Sequence, residues 1–277
     1  GLDRRDALAD DGVMRVTFLG TGTSHGIPMI GCDCAVCRSS DPRNQRLRPS
    51  IFVEHDHLSV LVDATPDFRT QALRAKIGRV DAVLLTHSHA DHILGLDDLR
   101  AFTGKNDGKM PLYGSAKSLA DVGRMFAYAC TEKPAWPGLP SFELHPIEPN
   151  VEFQISRFKC RGVPLLHGRM TVYGFVVNNT VAYLTDCSTV PEDVIESIRG
   201  VPVLVLDALR HRPHPAHLTI EAALEIATRV GPRLTWLTHL CHEVDHETTE
   251  AGLPQNVRLA YDQLQIEVNN GECCQMP

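Results

Sequence analysis

The sequence predicts an α/β fold of four layers, an αββα sandwich in which two stacked sheets carry helices on their outer faces. Three observations point there. Apolar, strand-like runs come first and helical spacing follows, and this rhythm occurs in each half of the chain. No linker and no repeat at a solenoid period divides the 277 residues, so 13–268 reads as one domain with tails at 1–12 and 269–277. Histidines and aspartates also stand just past several apolar runs, and strand ends gathered at one edge are where sites are usually built.

The elements follow in order. Residues 13–19 and 51–62 read as strands, the second a hairpin turning at 55–57, which places His55 and His57 on a solvated turn. Residues 81–85 form a short buried strand, and 93–102 have helical spacing through Leu94, Leu96 and Leu99. Five prolines between 131 and 149 exclude a regular helix or a central strand. That stretch reads as an ordered loop, a lid candidate with Trp136 and Tyr128, for which core packing is the rival fate. Strands resume at 151–158, 161–166, 171–178 and 180–184, with Asn178-Asn179 as a tight turn. Residues 201–206 and 234–237 are further strands. Residues 218–229 and 255–264 read as helices, the first with Thr219 near its start.

The net charge of −7 argues against a large nucleic-acid partner, but not against a small anionic substrate drawn to metal ions. No apolar run approaches the ~20 residues of a membrane span. The charged start at 1–11 lacks a signal-peptide apolar region. Nine cysteines, an odd number, suit a reducing cytoplasm, where clustered cysteines are more often metal ligands than disulfides.

The segment His87-Ser88-His89-Ala90-Asp91-His92 directly follows an apolar strand. Two histidines spaced by one point the same way from extended chain, and Asp91 and His92 open a helix facing the same cavity. Four such donors in six residues serve two adjacent metals, zinc or manganese by donor type. His167, Asp186 and His239 each sit just past an apolar run. Singly, each would be a turn residue; with the first segment they form a set. A second cluster, Cys32, Cys34 and Cys37, suits a structural tetrahedral zinc lacking one ligand, which His242 can supply. Disulfides are the rival reading, but a Cys-x-Cys bridge is strained and strands the third thiol.

This pattern resembles the metallo-β-lactamase superfamily, with its HxHxDH signature followed by a distant His, Asp and His, across nearly the whole chain. The resemblance implies that His87, His89 and His167 bind one metal. It gives the other to Asp91, His92 and His239, with Asp186 as the bridge and Asp91 also counted among the catalytic residues. It makes Asp63 the residue that steadies the ligand loop. The cysteine-rich turn, with Leu19-Gly20-Thr21-Gly22-Thr23 and Gly26-Ile27-Pro28, is similar to the phosphoribosyl 1,2-cyclic phosphate phosphodiesterases of the carbon–phosphorus lyase pathway. Pyrroloquinoline quinone biosynthesis B proteins share a similar turn. By position His217 matches the family histidine that contacts phosphate and acts as general acid, with His211 and His214 competing for that role. Arg210 and His25 are substrate-contact candidates beside surface and turn readings. Cys187 reads as packed, and Cys273 and Cys274 fall in the expected tail.

The implied chemistry is attack of a metal-bridging hydroxide on a small, often cyclic, phosphodiester, with two metals about 3.5–4 Å apart lowering the pKa of their water. An imidazolium protonates the leaving alkoxide. Asp at 186, where antibiotic-degrading lactamases have Cys, fits that chemistry. The alternatives are a thioesterase or tRNA-processing nuclease on the same fold, a pyrroloquinoline quinone biosynthesis B-like protein, or a non-catalytic metal-binding protein. The size suits a homodimer, though no residue demonstrates one.

Overall fold

The computed structural model describes residues 12–103, 108–132, 135–269 and 272–275. β1 (Met14–Gly20), β2 (Ser50–His55) and β3 (Leu58–Val62) form an antiparallel meander. β4 (Ala82–Leu84), β5 (Met110–Gly114) and β6 (Phe142–Pro146) then add in parallel. Parallel neighbours need crossovers. α1 (Phe68–Arg74), α2 (Ala90–Ile93), α3 (Arg100–Thr103) and α4 (Ala116–Met125) lie in them.

The second half repeats the plan. β7 (Glu152–Ile155), β8 (Phe158–His167), β9 (Met170–Val177) and β10 (Val181–Leu184) are antiparallel. β11 (Val203–Asp207), β12 (Leu234–Thr238) and β13 (Val257–Leu259) follow in parallel, with α5 (Glu192–Ser197), α6 (Ile220–Val230) and α7 (His246–Glu250) between strands. β14 (Gln265–Asn269) and β15 (Glu272–Gln275) return to the first sheet beside β1. The sheets run β15-β14-β1-β2-β3-β4-β5-β6 and β13-β12-β11-β10-β9-β8-β7.

Strict alternation along the strands makes the layers. Val60 and Val62 face Phe175, Tyr183, Val203 and Val205 between the sheets. Leu61 faces outward with Phe68, Leu119 and Val122. Leu204 and Leu206 face outward on the other side with Val194, Ala223 and Ala227. Both sheets are thus buried on two faces, which is why these runs are almost wholly apolar. Thr219 caps α6 by accepting from the Ala222 amide at 3.1 Å, and Gly231 ends it at φ 68. Asn178 and Asn179, at φ 50 and 51, make the expected tight turn.

Four expectations are corrected. The helix at 255–264 is instead β13 followed by turns. Buried Val257, Ala260 and Leu264 fall at helical spacing only because a short strand is followed by a turn into β14. The helix at 93–102 is interrupted at Gly95, where a Cβ would collide with the Thr65 carbonyl, and continues as a 3-10 turn and α3. The loop at 131–149 contains β6, an edge strand, which tolerates Pro146 because only one side is paired. The tail at 269–277 contains β15, while most of the tail at 1–12 lies outside the described residues. Trp136 is exposed and Tyr128 donates to Asp97, and neither lines a cavity beside the site described next. Among the described residues no helix is long and apolar enough to cross a membrane.

Candidate functional site

Residues from the ends of β3, β4, β8, β10, β11 and β12 meet at one edge of the sandwich. Asp63, Asp186 and His239 all take left-handed backbone there, at φ 61, 52 and 61. That region is uncommon for non-glycine residues, and such strain concentrates at functional sites.

Asp63 is fully buried and organises the segment after β4. It accepts from the Thr86 amide at 2.9 Å, the Thr86 hydroxyl at 2.7 Å and His92 Nδ1 at 2.7 Å. The single Thr86 proton goes to Asp63, so the Thr86 oxygen accepts from His87 Nδ1 at 3.0 Å. His167 donates Nδ1 to the Ala216 carbonyl at 2.9 Å. In each histidine the second-shell bond fixes the tautomer and leaves Nε2 as a lone-pair donor.

Those free nitrogens converge. Donor atoms of His87, His89 and His167 lie within 4.8 Å of one another, as do those of Asp91, His92, Asp186 and His239. Asp186 joins the two groups. One oxygen contacts His92 Nε2 and lies 3.7 Å from His87 Nε2, and the other is 2.9 Å from His239 Nε2. Nε2 of His87, His92 and His239 is buried without a hydrogen bond. Such orphans cost about 1–3 kcal/mol each unless a ligand satisfies them. Burial works against charge on His239, yet Asp186 lifts its pKa to about 9. Burial likewise opposes ionisation of Asp186, but His239 and His92 hold it well below the carboxylate range. The cluster therefore calls for positive charge around one carboxylate. Mixed nitrogen and oxygen donors fit divalent metal ions in both groups.

His217 stands beside this hub. Its ring stacks on His239 at 4.6 Å, and Nδ1 donates to Asp207 at 2.9 Å. Asp207 ends β11 fully buried and also accepts from the Cys187 amide at 3.0 Å. It too belongs to a possible metal-holding group with Asp186, His217 and His239. Asp207 was legible by the signature of Asp186 and His239, a polar residue ending an apolar run, and sequence reasoning passed over it. A cavity of about 220 Å³ opens here, lined by His25, Arg210, His214, His217 and His239 among others. Arg210 is held by Glu243 at 2.6 Å, and His211 pairs with Glu221 at 2.6 Å. The structure thus brings His25 and Arg210 to the cavity and occupies His211 elsewhere.

The thiol cluster is also assembled. Cys32, Cys34, Cys37 and His242 have donor atoms within 4.8 Å, with Cys32 Sγ 3.1 Å and Cys34 Sγ 3.6 Å from His242 Nδ1. The Cys37 amide donates to Cys34 Sγ at 3.4 Å and helps hold that thiol's pKa down to about 6. Three sulfurs and one imidazole fit tetrahedral zinc. Buried Arg46 braces the loop that carries both His239 and His242 by donating to the Cys241 carbonyl at 3.2 Å.

Comparison with known proteins gives the class. The Beta-lactamase superfamily domain family matches residues 59–240. The chain belongs to the metallo-β-lactamase superfamily and is a metal-dependent hydrolase by fold and donor set. Within it, the chain is similar to a diphosphatase of the PhnP family of known structure, at 40% identity and a TM-score of 0.86, over 95% of this chain and 99% of that one. It is 36% identical over 259 residues to an octanoyltransferase of Porphyromonas gingivalis, covering 92% of this chain but only 52% of that protein, so it spans about half that relative's length. It is 28% identical to a ribonuclease Z of Mycobacterium sp. (strain KMS), over 94% of this chain and 98% of that protein.

Proposed function

We propose that this protein hydrolyses small phosphodiesters, cyclic ones included, at the His/Asp hub. The observation that carries this reading is the Asp207–His217 pair beside Asp186: Asp207 holds Nδ1 at 2.9 Å and leaves Nε2 to the cavity. An ester oxygen leaving from a sugar needs a proton, and a buried carboxylate behind an imidazole is the arrangement that keeps a proton available to it. His87, His89 and His167 would hold one divalent ion and Asp91, His92 and His239 the other, with Asp186 between. Such ions lower the pKa of water and offset charge on phosphoryl oxygens. Asp63 keeps His92 and, through Thr86, His87 in the tautomers that this needs. Cys32, Cys34, Cys37 and His242 would hold a structural zinc. The diphosphatase and ribonuclease Z relatives both support phosphorus chemistry.

A thioesterase is the second reading, favoured by the octanoyltransferase likeness. The test is hydrolysis by the metal-reconstituted protein of ribosyl cyclic phosphate, bis(p-nitrophenyl) phosphate, a 2′,3′-cyclic nucleotide, S-lactoylglutathione and an octanoyl thioester. Cleavage of phosphodiesters alone is expected. Cleavage of thioesters alone overturns the proposal, and silence with metals verified present favours a binding role.

A further inference from the structure

The hub has a second open side, away from His217. A groove of about 690 Å³ there is lined by His89, Lys117, His167, Arg169, Met170 and Thr171. Its lining has two cations and no carboxylate, although the chain carries −7 overall. Neither cation is held in a salt bridge: surface arginines elsewhere in the chain pair with neighbours, as Arg124 does with Asp121 and Arg199 with Glu196, but Lys117 and Arg169 do not.

Both are also placed by rigid neighbours of the hub. Arg169 follows Gly168, at φ 61, in the two-residue turn that pairs His167 with Met170, so it stands two residues from a hub histidine. Lys117 is in the first turn of α4, whose start is fixed by Ser115 accepting the Ser118 amide at 3.1 Å. One turn later Asp121 accepts from the Ser88 hydroxyl at 2.6 Å, which ties α4 to the segment between His87 and His89. Exposed cations that have no protein partner, are anchored on both flanks of a reactive centre and converge on one groove form a receptor for an anion.

We infer that Lys117 and Arg169 clamp a second phosphoryl group on the substrate, set apart from the one that reacts. This rests on the phosphodiesterase reading of the hub. The substrate class is then a small molecule with one phosphodiester and one terminal phosphate, not a simple diester. The clamp sets selection and register; it takes no part in bond cleavage.

The test uses two substrates with one leaving group: thymidine 5′-(p-nitrophenyl phosphate) and the same compound bearing a 3′-phosphate. Wild-type protein and the Lys117→Gln, Arg169→Gln and double variants are compared by p-nitrophenolate release. The expected result is a lower KM for the 3′-phosphorylated compound in the wild type. That preference falls about tenfold with each substitution, as for loss of one charge-assisted hydrogen bond, and vanishes in the double variant. No wild-type preference, or a preference that survives the double substitution, overturns the clamp. If neither compound is cleaved, the hydrolytic reading has failed, and calorimetry decides the clamp alone. Tighter binding of thymidine 3′,5′-bisphosphate than of thymidine 5′-phosphate, lost in the double variant, supports it; equal binding by wild type and variant overturns it.

Discussion

The His/Asp hub and the Cys/His cluster share the short loop from His239 to His242, yet they are built differently. The hub draws nitrogen and oxygen donors from strand ends in both sheets, several on left-handed backbone, with open space on two sides. The thiol cluster draws three donors from residues 32–37 of one loop, oriented by that loop's own amides. A centre that has to admit a substrate needs donors held by independent rigid supports, so that a face stays free. A centre that only ties a loop down can be local, sulfur-rich and closed.

The strongest way to break this contrast is Asp186→Ala. It should cost more activity than the roughly 10–100-fold typical of losing an outer-shell partner, and should empty the hub while the thiol site keeps its zinc. Metal content per chain by mass spectrometry reads this, and a fully loaded, active variant would end the bridging assignment. His217→Gln should leave metal content intact and slow cleavage of an alkoxide-leaving diester by about 10²–10⁴-fold, with far less effect on a p-nitrophenyl ester. Equal loss on both would remove the proton-donor role. Cys34→Ser should act the other way round, with one zinc lost and the melting temperature down by about 4–8 °C, as for roughly 2 kcal/mol in a domain of this size, and a smaller loss of activity than Asp186→Ala. An unchanged melting temperature would count against a structural site.

The smallest effect is in acid. His246 lies buried near the thiol loop, and burial first, then Arg43 and Arg46, hold its pKa down to about 4. The unfolded chain takes a proton near pH 6.5 and the folded chain does not until about 4, so the unfolded state binds more protons in that window. Stability is therefore complete above pH 6.5 and falls as pH drops towards 4. His246→Gln should flatten that limb of a denaturation-against-pH curve; an unaltered limb would assign it to other groups.

The segment from His87 to His92 is legible because four donors follow one strand with almost no spacing. His167, Asp186 and His239 carry a weaker mark, one polar residue after an apolar run, and gain meaning only together. Asp207 carries the same mark and needed the structure, because its work is done through His217. Lys117 and Arg169 leave no mark at all: an exposed cation in a helix start or hairpin turn is ordinary until both are seen facing one groove. The fold was legible where strands are long and buried on both faces. It was not at β13, a short strand whose flanking turn mimics helical spacing, or at β6 and β15, edge strands that need only one partner.

The pairing of β1 with β14 has a consequence for biosynthesis. The Arg15–Glu267 ion pair at 2.8 Å joins residues 252 apart, and the Thr21 amide waits for Asp262, which accepts it at 3.0 Å. Contacts so distant in sequence are slow to form, because a long loop must close before they reward it. As the chain leaves the ribosome, the first sheet has its meander early but keeps an open edge along β1 until the last strands arrive. Closure of that sheet therefore belongs to the finished chain, and the exposed edge makes the nascent protein a natural client for chaperones during that interval.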